Sequence, residues 1–338
     1  MQSRKNVQFR KKTLSLTALS GVVLLGVAAC STPGSSAAGT ESGTSGGITV
    51  VASTSAYGSL VKAIGGDKVT VESIVSKISQ DPHSYEATAQ DRLKVSKAGL
   101  VVVNGGGYDA FMDGMVADAK LDPANVINAV TVSGLQQEST ESPAPSASAA
   151  DGHDHGHDHD HGSFNEHVWY NFPAMQKVAA QVEQRLSALA PASAAEFKHN
   201  AEAFTARLGD YQQTLEKLTK GSHVDVAVTE PVPLYLLEAA GLHNVTPEEF
   251  TSAVEEGHDV PASVLDETLK LFSAKKASFL AYNEQTSGPQ TEAVKKAATD
   301  AGAPVVSFTE TLPEGKDYLS WMSDNVNAVQ KAVEKVRG

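Results

Sequence analysis

Nine consecutive positions, His153-Asp154-His155-Gly156-His157-Asp158-His159-Asp160-His161, hold five of the eleven histidines in this 338-residue chain. Neutral imidazole is the commonest metal-ligating side chain, and aspartate and glycine spacers keep it solvated and mobile. Such a tract has no apolar residue to bury, so it adds nothing to a core. It can collect a borderline-soft divalent cation such as zinc, or it can be a solvated acidic linker. Composition alone leaves both readings open.

Four further places offer ligand side chains at loop or strand ends. In Asp81-Pro82-His83-Ser84-Tyr85-Glu86, Pro82 stiffens the approach to His83, which stands before a helix. A lone loop histidine is also a common surface group. In Glu166-His167-Val168-Trp169-Tyr170 the aromatic rings are expected to pack around His167 and restrict its rotamer. Glu230 ends a β-rich run and precedes Pro231, where it could ligate a cation or cap the next helix. Glu310 ends Val305–Thr309 in the same way. Glu284, at the end of another strand, is a candidate supporting residue beside these ligands. His199 and His223 read as surface groups, His243 as a residue near a helix C-terminus, and His258, in the acidic turn Val254–Asp259 before Pro261, as part of a rim or of a solvated loop.

These side chains need a scaffold, and the apolar pattern supplies one. Ile48–Ala52, Val69–Val75, Leu100–Asn104 and Val126–Val130 read as strands. They alternate with helices near Ala56–Ile64, Ala87–Lys97 and Tyr108–Ala119. Near-continuous Val and Ile runs between helices indicate a parallel sheet covered on both faces. Residues 132–162 are poor in apolar residues and read as an excursion from this lobe, disordered without metal. Pro173 starts a helix running to about Ala190.

Phe197, Ala201, Phe204, Leu208, Tyr211, Leu215 and Leu218 then recur at alternating steps of four and three. That stripe predicts one long helix, ended by Gly221. Alternation restarts with strands Val224–Thr229, Ser278–Asn283 and Val305–Phe308. The accompanying helices are Leu234–Ala240, Ala262–Ser273, Gln290–Ala301 and Asp317–Val336. The expected fold is therefore α/β. An N-terminal lobe (48–193) and a C-terminal lobe (221–338), each with a parallel sheet, are joined by a bridging helix (194–220). The strand C-termini of both lobes then face one cleft.

The N-terminus carries Arg4, Lys5, Arg10, Lys11 and Lys12, followed by an apolar stretch from Leu14 to Ala29 that is short for a membrane span. Val27-Ala28-Ala29-Cys30 places small residues before the chain's single cysteine. This resembles a bacterial lipobox, with cleavage after residue 29 and lipidation of Cys30; residues 30–47 would be a flexible tether. The alternative is an ordinary signal peptide that happens to end near a cysteine. A single cysteine permits no disulfide within the chain. Losing residues 1–29 would remove those five basic residues and take the formal charge from −13 to −18. A surface this acidic argues against nucleic acid as a partner.

The lipobox, Asp81-Pro82-His83-Ser84-Tyr85-Glu86 and His167-Val168-Trp169, in this order, resemble the landmarks of the zinc/manganese solute-binding lipoproteins of bacterial ABC importers. The likeness runs from about Ile48 to the C-terminus. It implies two α/β lobes bridged by a long helix, a metal held in the interlobe cleft, and a non-enzymatic, monomeric receptor. Such a receptor is extracytoplasmic, anchored to the membrane through lipid on Cys30, and delivers its ion to an ABC transporter permease.

By the same resemblance, His83 and His167 match the two first-lobe ligands. Glu230 falls where the family uses His or Glu, and Glu310 where many members have Asp, a change that adds one methylene. Zn2+ is the expected cargo, because zinc-selective members often insert a histidine-rich loop just before the second histidine. Mn2+ is the alternative, favoured by the two harder carboxylates. An exported metallohydrolase is a further alternative, with His83, His167 and one carboxylate holding the metal and the other carboxylate as base. The chain contains neither a His-Glu-x-x-His helix nor a Gly-x-Ser-x-Gly elbow, and four ligands from two lobes suit capture better than turnover.

Overall fold

Val50, Ala52, Leu100 and Val102 are buried toward one side of a sheet while Val51, Val101 and Val103 are buried toward the other. This two-sided burial explains the unalternated apolar runs, and it fixes a parallel sheet between two helical layers. The computed structural model describes residues 47–136, 164–220 and 222–337. The expected leader, Cys30, nearly all of the tether and the histidines at 153, 155, 157, 159 and 161 lie outside the described residues, as does Gly221.

The first sheet comprises β1 (Ile48–Thr54), β2 (Val69–Val75), β3 (Leu100–Val103) and β4 (Val126–Asn128). Its order is β2-β1-β3-β4, and every pairing is parallel. The intervening helices are α1 (Ser55–Gly65), α2 (Ala89–Ser96), α3 (Phe111–Ala119) and α4 (Ala129–Ser133). The strand expected to reach Val130 stops at Asn128, because the Asn128 side chain accepts from Thr131 N at 2.9 Å and starts α4. Likewise α3 starts at Phe111 rather than Tyr108. The Asp109 carboxylate accepts from Asn104 N (2.6 Å) and Gly105 N (2.8 Å), which pins residues 105–110 in a turn.

Two long helices follow, α5 (Phe172–Leu189) and α6 (Ala194–Leu215). The 22 residues of α6 are fewer than the expected span to 220. Beyond Leu215 the chain tightens, with Leu218 N donating to Leu215 O at 2.9 Å, and Thr219 Oγ1 bonds Ala240 O at 2.5 Å. The apolar stripe faces inward as expected. Asn200 Nδ2 donates to Ile64 O of α1 at 2.9 Å.

The second sheet repeats the first one's order as β6-β5-β7-β8, again all parallel. Its strands are β5 (Val224–Val228), β6 (Leu242–Asn244), β7 (Leu280–Asn283) and β8 (Val305–Phe308). The helices are α7 (Leu234–Ala239), α8 (Glu248–Glu255), α9 (Ala262–Ser273), α10 (Pro289–Asp300) and α11 (Tyr318–Arg337). Further along α6, Phe204 packs on Tyr318 of α11 (ring centroids 5.6 Å apart), and Tyr211 Oη donates to Leu319 O at 3.0 Å. The helix therefore bridges both α/β lobes. One apolar cluster runs through both, from Val50 and Leu100 across α1, α5 and α6 to Val226 and Trp321, and each sheet has a further cluster on its other face.

Candidate metal site

In parallel sheets of this order, the chain diverges between the first strand and the strand that follows the edge crossover. Ligands collect there, at the strand C-termini. In the second lobe that point lies between β5 and β7, and the residues leaving those strands are Glu230 and Asn283. Both are buried. Asn283 Nδ2 donates to Glu230 Oε2, to Glu310 Oε1 (2.9 Å) and to Thr286 Oγ1 (3.1 Å). One amide thus holds two carboxylates side by side. Glu310 Oε2 also accepts from Tyr108 Oη at 3.1 Å, across the gap between lobes.

Burial disfavours charge on these acids, and neighbouring carboxylates add to it. Burial, reinforced by the Glu310 charge, pushes Glu230 up to about 8 despite the Asn283 hydrogen bond. Burial likewise pushes Glu310 up to about 7, against the opposing bonds from Asn283 and Tyr108. A divalent cation would offset this penalty. Glu230 Oε1 has no hydrogen-bond partner among the described residues.

The first lobe brings its histidines to the same place. The His83 loop is set by Asp81, whose Oδ1 accepts from His83 N (2.9 Å) and whose Oδ2 accepts from Ser84 Oγ (2.7 Å). The His83 ring stands edge-on to Tyr108, with centroids 4.9 Å apart. His167 is more constrained. Asn165 Oδ1 accepts from His167 N at 3.0 Å and lies 2.7 Å from its Nδ1. That contact places the ring proton on Nδ1 and leaves the Nε2 lone pair facing the site. Nε2 is buried and has no hydrogen-bond partner among the described residues. Burial, then the nearby His83, lowers the His167 pKa well below the ordinary value, so the ring is neutral.

Gly106, at φ +69°, is part of what lets this segment in. A Cβ there would stand 3.1 Å from Val130 and 3.4 Å from the Cβ of Glu166. Trp169 packs against His167 as expected, with centroids 5.1 Å apart. Tyr170 instead turns toward Phe308 and Trp321 and donates to Thr309 O at 2.8 Å.

His83, His167 and Glu310 each offer one ligand atom, and these atoms all lie within 4.8 Å of one another. His83 Nε2 is 3.8 Å from Glu310 Oε2. Three of the four expected ligands therefore converge, while Glu230 joins them through Asn283. Glu284 does not take part. It is exposed, accepts from Ser307 Oγ at 2.5 Å and pairs with Lys295 at 3.7 Å. It lies one residue past β7 on the face opposite Asn283, the face that Tyr282 and Lys295 share. His199 and His258 are exposed, and His223 and His243 meet Asp225 at the opposite end of the second sheet.

Asn165, Asn283 and Glu255 were missed in the sequence reading. Asn283 carries no charge to single it out. Glu255 ends α8, a helix the apolar pattern did not reveal, and it lies 3.8 Å from His167 Nε2.

Two like-ordered α/β lobes on a common helical spine, with imidazoles and carboxylates converging between their strand C-termini, define a two-lobed receptor for a metal ion. The family model for zinc-uptake complex component A, periplasmic (ZnuA), matches residues 50–332, and the chain belongs to that family of substrate-binding proteins, which are not enzymes. Among its relatives is the metal ABC transporter substrate-binding lipoprotein ScbA of Streptococcus cristatus, 26% identical over 331 residues that cover 93% of this chain and 96% of the relative. The manganese ABC transporter substrate-binding lipoprotein PsaA of Streptococcus pneumoniae is 24% identical, with 96% of this chain and 100% of the relative covered. The periplasmic zinc binding protein TroA from Treponema pallidum shares the fold, with a TM-score of 0.66 at 17% identity over 85% of this chain and 99% of that one.

Proposed function

We propose that this chain captures Zn2+ outside the cytoplasm and delivers it to the permease of an ABC importer. In this reading it is a monomer held at the membrane by lipid on Cys30, after loss of residues 1–29. His83, His167 and Glu310 hold the ion, with Glu230 completing the set. The observation that carries the reading is the His167 Nε2 lone pair, oriented by Asn165 and buried without a hydrogen-bond partner, within 4.8 Å of ligand atoms from His83 and Glu310. Two neutral imidazoles with two carboxylates balance a divalent charge and suit zinc geometry. The affinity order of divalent ions favours zinc at such a set whichever of the two is the cargo.

Manganese is the second reading. Glu255 beside His167 adds a third hard oxygen donor to the neighbourhood. The tract at 153–161 would collect zinc weakly at the mouth and raise its local concentration. The lobes are read as 48–193 and 221–338, with 194–220 as the bridge.

Equilibrium competition between Zn2+ and Mn2+ on the purified protein tests the assignment. Zinc is expected to displace manganese from one tight site, and His83→Ala to weaken that site far more than His199→Ala. Equal effects of the two substitutions would contradict the ligand assignment.

A further inference from the structure

Glu255 Oε1 and His167 Nε2 face each other at 3.8 Å, beyond hydrogen-bond reach, and neither atom has a hydrogen-bond partner among the described residues. The two groups are thus brought together without satisfying one another. Glu255 also belongs to a second constellation. It, Glu166 and His83 offer ligand atoms that all lie within 4.8 Å of one another. His83 is common to this triad and to the His83–His167–Glu310 triad.

The two triads differ in their access to water. The His83 and Glu255 side chains are 17% and 18% exposed, whereas those of His167 and Glu310 are 1% exposed each. Glu166 is buried, and its backbone carbonyl accepts from Asn104 Nδ2 at 3.0 Å, which fixes it beside His167. An arriving ion keeps part of its hydration shell until protein ligands replace it. The partly exposed Glu255 carboxylate and His83 imidazole, backed by buried Glu166, can accept such an ion; two fully buried ligands cannot do so until its waters are gone.

We infer that Glu255, Glu166 and His83 form a second cation station at the mouth of the site, which takes the divalent ion first and passes it inward by ligand exchange about His83. This rests on the reading of His83, His167 and Glu310 as the holding set. The ion stays bound to His83 while the Glu166 and Glu255 oxygens are exchanged for His167 Nε2 and a Glu310 oxygen. Glu255 thereby governs the rate of capture rather than the strength of holding.

Glu255→Gln keeps the shape of the side chain and removes its capacity to ionise and bind a cation through a carboxylate. Zinc binding by the purified protein can be followed by stopped-flow tryptophan fluorescence, with Trp169 packed on His167 as reporter and free Zn2+ buffered too low to fill the histidine tract. The station predicts association and dissociation rates both about tenfold lower in Glu255→Gln, with Kd changed by less than about twofold. An unchanged association rate would overturn it, as would faster dissociation with association kept, which would make Glu255 a ligand of the held ion. A parent protein whose tight zinc phase survives His167→Ala would instead bring down the holding set itself, an outcome separate from the behaviour of Glu255.

Discussion

Asn165 and Asn283 set what the ionisable side chains of the site can do. The first fixes the tautomer of His167, and the second holds Glu230 and Glu310 together although each raises the cost of charging the other. A carboxyl that ionises near 4.5 when unfolded is held to about 8 at Glu230 and about 7 at Glu310 in the fold. Between those limits the folded, metal-free protein binds more protons than the unfolded chain. Its stability therefore falls as pH rises through that interval. Bound cation removes this effect by favouring the ionised forms. The metal-free melting temperature is accordingly expected to fall from about pH 5 to about pH 8, while the zinc-loaded protein shows no such fall, and zinc binding near neutral pH releases protons. Calorimetry in buffers of different ionisation enthalpy measures that release; a metal-free melting temperature that rises with pH would contradict the account.

Among the elements, α6 has the clearest mechanical role, because it bonds α1 through Asn200 and α11 through Tyr211. Phe204 is buried against Tyr318 at the middle of this strut. Phe204→Ala is expected to cost about 3–5 kcal/mol of stability, read from the denaturant midpoint; a loss below about 1 kcal/mol would mean that the helix is not integral to the core. The strut was legible because its stripe is long and periodic, and seven of the eight described strands because apolar residues, Val and Ile above all, are concentrated in and around them. β6 is Leu-His-Asn, with one apolar residue where the equally short β4 has two, and α8 follows Pro247 with only a few apolar positions. Missing α8 meant missing Glu255. The histidines were visible by residue type and setting, whereas choosing Glu284 over Asn283 followed charge where strand parity decides which face of the sheet, and so which side chain, meets the site.

Across the molecule, a continuous core and cross-lobe bonds such as Tyr318 Oη to Trp169 O (2.5 Å) and Leu312 N to Ser55 Oγ (3.0 Å) couple the lobes. Gln285 adds a latch: its Nε2 donates to Gln80 O in the His83 loop, and its Oε1 accepts from Glu310 N. Metal binding should therefore involve loop adjustment and slight tilting rather than wide hinge closure. The histidine tract acts, in this reading, as a tethered collector beside that rigid site. Deleting residues 151–161 is expected to lower zinc uptake by cells when zinc is scarce and to leave one tight site in the purified protein. Loss of all tight binding on deletion would refute that division of labour.

Anomalous scattering from zinc-loaded crystals, collected on either side of the zinc edge, addresses the shared ion most directly. The account predicts one strong peak at about 2.0–2.2 Å from a nitrogen of His83, Nε2 of His167 and an oxygen of Glu310. A strong peak elsewhere, with His83 and His167 making no contact to it, would contradict it.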